Sequence, residues 1–471
     1  MIIPVHKFLS ILCIFSLSIL VISSVFFALV TNDLLLFTII MLIILLGLPS
    51  VIQWMSGKSF DLFVPPVFFS VVIFLGYILP IPSFLAGEDP FSILWGYPFR
   101  SLHDALLRAL LLAVLGVLGF YFGYGVFALR PVKRCPSTVV WNAHRLGLVG
   151  IGYTLVGLGL FAAGIVLIGG PSALIEGLAD RTRAFAGLGY FFNGILLLLI
   201  FALLWWTYLL QERRLTDWRF WIYTIFALLS SGLLGSRANT FIIVLAGVVL
   251  YHTLFKPISF AILLSLGGVG AVALVAYALF FREFLITGQL AVLVSYADKS
   301  NPLWTLFAQM LSGEFMHIQI LSTLVEAMPS EIPFQNGLTY LFLFATPIPS
   351  SLWPEKPLPA PGIFTLALWP QKWLLAGTTI PPTLMGEMYM NFGTLGVFIG
   401  MILFGALYRI VYARSLATAC APTPTILYAL MLVGIIHYVR GAFPEVTAVL
   451  LIFILPTLLA LWFVEHKVLH A

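Results

Sequence analysis

The chain is short of charge: Asp, Glu, Lys and Arg make up 9% of its 471 residues, against about 25% in a soluble domain. A surface so poor in ions cannot be bathed in water on every side. Cysteine is scarce as well, with Cys13 in an apolar run and Cys135 and Cys420 in connections assigned below to the cytoplasm. No extracytoplasmic disulfide is therefore expected. Walker-type glycine loops, dinucleotide fingerprints, paired cysteine ligands and HExxH are all missing. ATP hydrolysis, hydride transfer and zinc proteolysis thus lack their usual parts. The net charge is only +5, and no basic cluster exceeds four residues in a short window, so no nucleic-acid partner is expected. No internal repeat, heptad run or low-complexity tract is visible either.

What the chain has instead is hydrocarbon. Hydrophobic residues make up 61% of it and its mean hydropathy is +1.10. Apolar runs of about 20 residues recur, each able to cross a hydrocarbon core about 30 Å thick as a helix that satisfies its own backbone. The expected fold is an all-α polytopic bundle of about 12 transmembrane helices with one large, partly helical periplasmic loop. A barrel would show short alternating segments, and none are seen. The spans are placed at 8–30, 34–55, 64–82, 105–128, 146–170, 190–211, 219–235, 239–255, 258–280, 383–408, 425–440 and 443–464. Residues 1–280 then form a nine-helix region, 281–382 a loop capping the bundle, and 383–471 a three-helix region. The run from Phe8 to Val30 is too long for a signal-peptide core and reads as a retained span.

Lys and Arg in short loops favour the cytoplasmic side. With the amino terminus inside, that side receives thirteen cations, among them Lys7, Arg134, Arg214, Lys256, Arg414 and Lys467, against the four acids Asp61, Glu212, Asp217 and Glu465. The other side keeps ten cations and fourteen acids. Both termini are therefore expected in the cytoplasm, with the chemistry on the extracytoplasmic face.

Some cations defy this preference. Arg237 lies in the tight turn Gly235-Ser236-Arg237-Ala238-Asn239, Arg282 ends the ninth span, and Arg440 sits in Arg440-Gly441-Ala442-Phe443. A guanidinium offers a planar fork of donors suited to phosphate or pyrophosphate and cannot be neutralised. The alternative for each is snorkelling to headgroups, or pairing with Glu283 or Glu445. Glu387 stands near the outer start of the tenth span, where an ionisable group is a functional candidate by default; a structural hydrogen bond is the other reading. Residues 303–327 read as a helix carrying Leu306, Met310, Glu314, His317 and Leu321 on one stripe. Glu314 and His317, at i and i+3, could form a base and its orienting partner, or pack at the interface. In Trp353-Pro354-Glu355-Lys356-Pro357, Lys356 is either a phosphate contact or a solvated lysine on a rigid turn.

Three blocks carry a resemblance: Gly235-Ser236-Arg237, the Leu352-Trp353-Pro354-Glu355-Lys356-Pro357 core, and Gly386-Glu387-Met388-Tyr389-Met390-Asn391-Phe392-Gly393. In these, mainly over residues 230–410, the chain resembles the O-antigen polymerase family of bacterial polysaccharide export. The resemblance implies a glycosyltransferase of lipopolysaccharide biosynthesis, joining polyprenyl-pyrophosphate-linked oligosaccharide units at the periplasmic face. It implies Arg237, Arg282, Arg440 and Lys356 on the pyrophosphate, Tyr389 and Asn391 on the substrate, and a proton taken by Glu387, Glu314 or His317. A flippase and a chain-length regulator would be partners. The leaving group is already activated, so no metal or other cofactor is expected. A ligase moving finished polymer to a lipid A core would use similar parts. A twelve-span transporter or flippase is the non-enzymatic alternative, disfavoured because the large interruption follows the ninth span rather than dividing two six-span halves.

Overall fold

The computed structural model describes residues 33–57, 60–87, 91–92, 95–128, 139–177, 185, 187–233, 237–277, 315–348, 352–353, 355–417 and 421–467. The chain begins there with five long apolar helices: α1 (Leu34–Met55), α2 (Pro65–Leu85), α3 (Leu102–Ala128), α4 (Ala143–Ile168) and α5 (Gly189–Gln211). Three shorter ones follow, α6 (Trp218–Leu233), α7 (Arg237–Leu250, extended by a π turn over Tyr251–Phe255) and α8 (Phe260–Tyr277). The connection to the last spans contains α9 (His317–Ala327), α10 (Leu338–Ala345), α11 (Ala360–Leu368) and α12 (Pro370–Ala376). Helices α13 (Leu384–Ala417), α14 (Pro422–Arg440) and α15 (Phe443–Val464) close the chain.

Their starts are written locally. Asp33 caps α1 by accepting from the Leu36 amide at 3.0 Å, Asn142 caps α4 through the Arg145 amide at 3.1 Å, and Pro occupies the first turns of α2, α14 and α15.

Eight described helices are long and apolar enough to cross a membrane. The expected spans from 34–55 onward all fall on helices, whereas the one at 8–30 lies outside the described residues. The four spans that separate eight from twelve are the one at 8–30, outside the described residues, and those at α6, α7 and α8. Helix α6 has only 16 residues and carries Arg219 in its first turn, and the apolar helix after Arg237 is short.

The tightest pairing in the bundle joins α3 to α13. A Cβ at Gly123 would stand 2.0 Å from the Ile402 carbonyl oxygen, one at Gly119 2.8 Å from that of Phe398, and one at Gly405 2.1 Å from that of Phe120. Glycine at these positions lets the two backbones touch, the device helices use where lipid supplies no hydrophobic drive to pair them.

Contacts sort the connections into two ends. At one end Asp61 pairs with His252, Tyr428 donates to the Phe63 carbonyl, Arg145 donates to Phe463, and β1 (Val139–Trp141) pairs antiparallel with β2 (Glu465–Lys467). At the other, Tyr97 donates to Glu331 at 2.7 Å, Arg108 pairs with Glu326, and Tyr190 donates to the Pro347 carbonyl at 2.7 Å. These two groups are the same two sets of loops that the cation distribution separates.

The connection preceding α13 does more than cover the bundle. Of the helix expected over 303–327, residues 303–314 lie outside the described residues; α9 forms its last part, and ten of its eleven residues are buried rather than lying along one stripe. It is wedged among α2, α3 and α13, with Leu324 against Gly386 and His317 against Gly76. Around its outer side a second, smaller core gathers Phe91, Ile320, Leu324, Phe364, Trp369 and Met390, joining Phe91, Trp95 and Tyr97 to the connection.

Candidate functional site

The Gly386-to-Gly393 block opens α13, and the chain does not run straight through it. Phe392 and Gly393 leave helical geometry, Gly393 at φ 63° and ψ −154°, a conformation that glycine alone reaches without penalty. The short helix 384–391 is thereby turned relative to the long one beyond. Thr383, itself at φ 69°, starts the short helix, accepting from the Gly386 amide on its hydroxyl at 3.1 Å and from the Glu387 amide on its carbonyl at 2.9 Å.

Glu387 is fully buried. Thr339 of α10 donates its hydroxyl to Oε1 at 2.7 Å, and the backbone amide of Phe443, the first residue of α15, donates to Oε2. One turn along, Asn391 donates to the Thr339 hydroxyl at 2.7 Å and to the Glu387 carbonyl at 2.9 Å, and accepts from the Gly337 amide at 2.8 Å. The carboxylate thus joins three parts of the chain distant in sequence. Buried charge survives only when bonded in this way. Tyr340 packs beside it, edge-on to Phe443 at 5.8 Å and stacked on Phe392 at 6.3 Å. Burial first, and then the charge of Glu387, pushes the Tyr340 phenol above its ordinary value. Glu445 lies near enough to interact electrostatically with Glu387, and neither of its buried oxygens has a hydrogen bond from another residue.

Below Tyr340 and Phe443 a groove of about 530 Å³ descends along α13 from Phe392 past Ile399 and Leu403 to Leu407. Fifteen residues of helix correspond to about 22 Å. Its walls are apolar apart from the tyrosine at its head.

The other expected residues are distributed unevenly. Arg440 ends α14, exposed, three residues before the amide that holds Glu387. Arg237 opens α7; that helix packs beside α14, and since its far end meets Phe63 near the start of α14, Arg237 comes to the same end as Arg440. Arg282 and Glu314 lie outside the described residues. His317 reaches this end but is packed away: 4% exposed, beside Tyr77 at 6.0 Å, with no hydrogen bond on either ring nitrogen. Burial and then the Arg440 charge lower it to about 3. Burial thus favours the neutral imidazole, packed between Tyr77 and Gly76. Lys356 donates to the Ile348 carbonyl at 3.2 Å and covers the Phe342 ring at 5.5 Å, the rigid-turn arrangement. Tyr389 points away from Glu387, toward Phe334 at 6.1 Å and into the field of Arg108.

Sequence reasoning missed Thr339, Tyr340 and the Phe443 amide, for which no local signal exists. It also missed Arg108, which pairs with Glu326 and does carry a signal, being the one cation in the 27 residues of α3. Among the described residues no three His, Cys, Asp or Glu side chains are grouped to hold a metal ion.

Long apolar helices closed around buried glycine contacts, with an ionisable cluster at one end, define a polytopic α-helical membrane protein. No family model, curated protein or solved structure matches the chain.

Proposed function

We propose that the chain is a membrane glycosyltransferase that polymerises polyprenyl-pyrophosphate-linked oligosaccharide repeat units at the periplasmic face of a bacterial inner membrane. The observation carrying this reading is the position of Glu387: a buried carboxylate at the head of an apolar groove, beside a turn that begins at an arginine. An amphiphile with a long hydrocarbon tail and an anionic head fits such a junction. The tail lies along α13, and the pyrophosphate meets Arg440 and Arg237, with Arg282 supplied by the connection.

In the reaction an acceptor sugar hydroxyl attacks the anomeric carbon of the growing chain. A C–O bond to the acceptor forms, the bond to the lipid pyrophosphate breaks, and its electron pair leaves on the pyrophosphate. The acceptor proton goes to Glu387, while guanidinium groups stabilise charge on the departing phosphate. The lipid pyrophosphate supplies the driving force, so neither nucleotide nor metal takes part. A flippase delivering the lipid-linked unit and a chain-length regulator are the implied partners.

The test is reconstitution of purified protein with one defined lipid-linked repeat unit. A ladder of products is expected, and Glu387→Gln, nearly isosteric, should abolish it at normal protein abundance. No ladder from the wild type, or an unchanged ladder from the variant, would overturn the reading or its base respectively. Transfer only to an added lipid A core would identify a ligase.

A further inference from the structure

A second cleft lies at the opposite end, far from Glu387 and unused by the proposed reaction. It has a volume of about 520 Å³ and runs between α5, α6, α7 and α8. Aromatic rings form its walls: Trp206 stacks on Phe220 at 5.2 Å and meets Trp221 at 5.8 Å, and Tyr251 lies parallel to Trp206 at 6.3 Å. Helix α8 gives it Ile262 and Leu266 but is otherwise little covered, with Leu264 66% and Val269 67% exposed. The Thr224 hydroxyl in the wall has no hydrogen bond.

The rim is basic. Lys256 lines the mouth, and two cations outside the lining stand beside it: Arg213, 5.7 Å from the ring of Phe255, the residue before Lys256, and Arg219 in the first turn of α6, over Trp218 at 5.9 Å. Of the nearby acids, Asp217 is engaged with the Arg219 amide at 3.1 Å and Asp61 with His252 at 3.3 Å. An apolar slot walled by indoles and rimmed by cations has the form of a lipid site: tryptophan and tyrosine seat at the headgroup level, and basic pockets between helices take anionic headgroups.

We infer that this cleft binds an anionic glycerophospholipid, one acyl chain between α6 and α8 and the phosphate against Lys256, Arg213 and Arg219. Charge complementarity selects this occupant over a zwitterionic lipid, and the depth of the slot selects a lipid over free phosphate.

Native mass spectrometry of the full chain, delipidated and then titrated with phosphatidylglycerol or phosphatidylcholine of the same acyl chains, tests it. Phosphatidylglycerol should be retained preferentially, and the double variant Arg213→Ala/Lys256→Ala should lose roughly ten- to thirty-fold of that retention. Gly247→Leu probes the slot itself. A Cβ at Gly247 meets Trp206 no closer than 3.7 Å, so the new side chain can fill the cleft, and it should reduce binding with the rim intact. Equal retention of the two lipids, unchanged retention by the double variant, or displacement by millimolar inorganic phosphate would overturn the inference. If Gly247→Leu fails to fold, the double variant decides alone.

Discussion

At the residue scale, burial divides the ionisable groups of the outer cluster into those that are bonded and those that are merely enclosed. Glu387 is bonded from two elements, so removing a donor leaves a buried acceptor unsatisfied, a cost of about 1–3 kcal/mol. Thr339→Val should therefore lower the melting temperature in detergent, while Thr339→Ser should restore it; equal melting of wild type and Thr339→Val would show that the bond contributes nothing. His317 is the opposite case. Its pKa falls from 6.5 unfolded to about 3 folded through burial and the Arg440 charge, with Tyr77 the ring beside it. The unfolded chain then binds the extra proton between those values, so the histidine lowers stability progressively as pH drops below 6.5. At pH 5 the loss is up to about 2 kcal/mol. His317→Phe should flatten the fall in melting temperature between pH 7 and pH 5. An unchanged slope would mean that His317 is protonated in the folded chain. Glu387 was legible as a carboxylate in an apolar run. Thr339 was not, because its partner lies 48 residues away and only tertiary packing brings them together.

At the element scale, the pairing of α3 with α13 rests on backbone contact. Any side chain at Gly123 meets the Ile402 carbonyl and any at Gly405 meets that of Phe120, and a carbonyl within a helix cannot rotate away. Gly123→Ala and Gly405→Ala should each prevent recovery of monodisperse protein or cost at least about 1–3 kcal/mol. Gly125→Ala, with open space around its Cβ, should behave as wild type. If all three behave alike, backbone contact is not what sets this interface. Helix positions themselves were readable from apolar runs and from proline at the first turn. What apolarity could not reveal was burial: Gln319, Ser322 and Thr323 of α9 are polar, yet all three are fully buried. The break at Phe392 and Gly393 was likewise invisible, since a glycine inside an apolar helix marks close packing as readily as a kink.

At the scale of the whole molecule, the sequence argument and the contacts reach the same partition by independent routes. Counting Lys and Arg uses no geometry, whereas the pairing of β1 with β2, of Asp61 with His252, and of Arg145 with Phe463 uses no charge rule. Both place residues 56–57, 60–63, 139–145, 211–217, 251–258 and 464–467 together, and both set residues 315–348, 355–383 and 440–443 apart from them. The proposed reaction on a lipid-linked pyrophosphate requires the second group to face the periplasm, because Arg440, its proposed headgroup contact, sits there. Reporters fused at Arg214 and Arg414 should accordingly read cytoplasmic, and those near Glu331 and Lys356 periplasmic. The partition itself fails if Arg214 and Lys356 report the same side. The proposed reaction fails, with the partition intact, if all four readings are reversed, because Arg440 and Glu387 would then face the cytoplasm and the lipid site rimmed by Lys256 the periplasm.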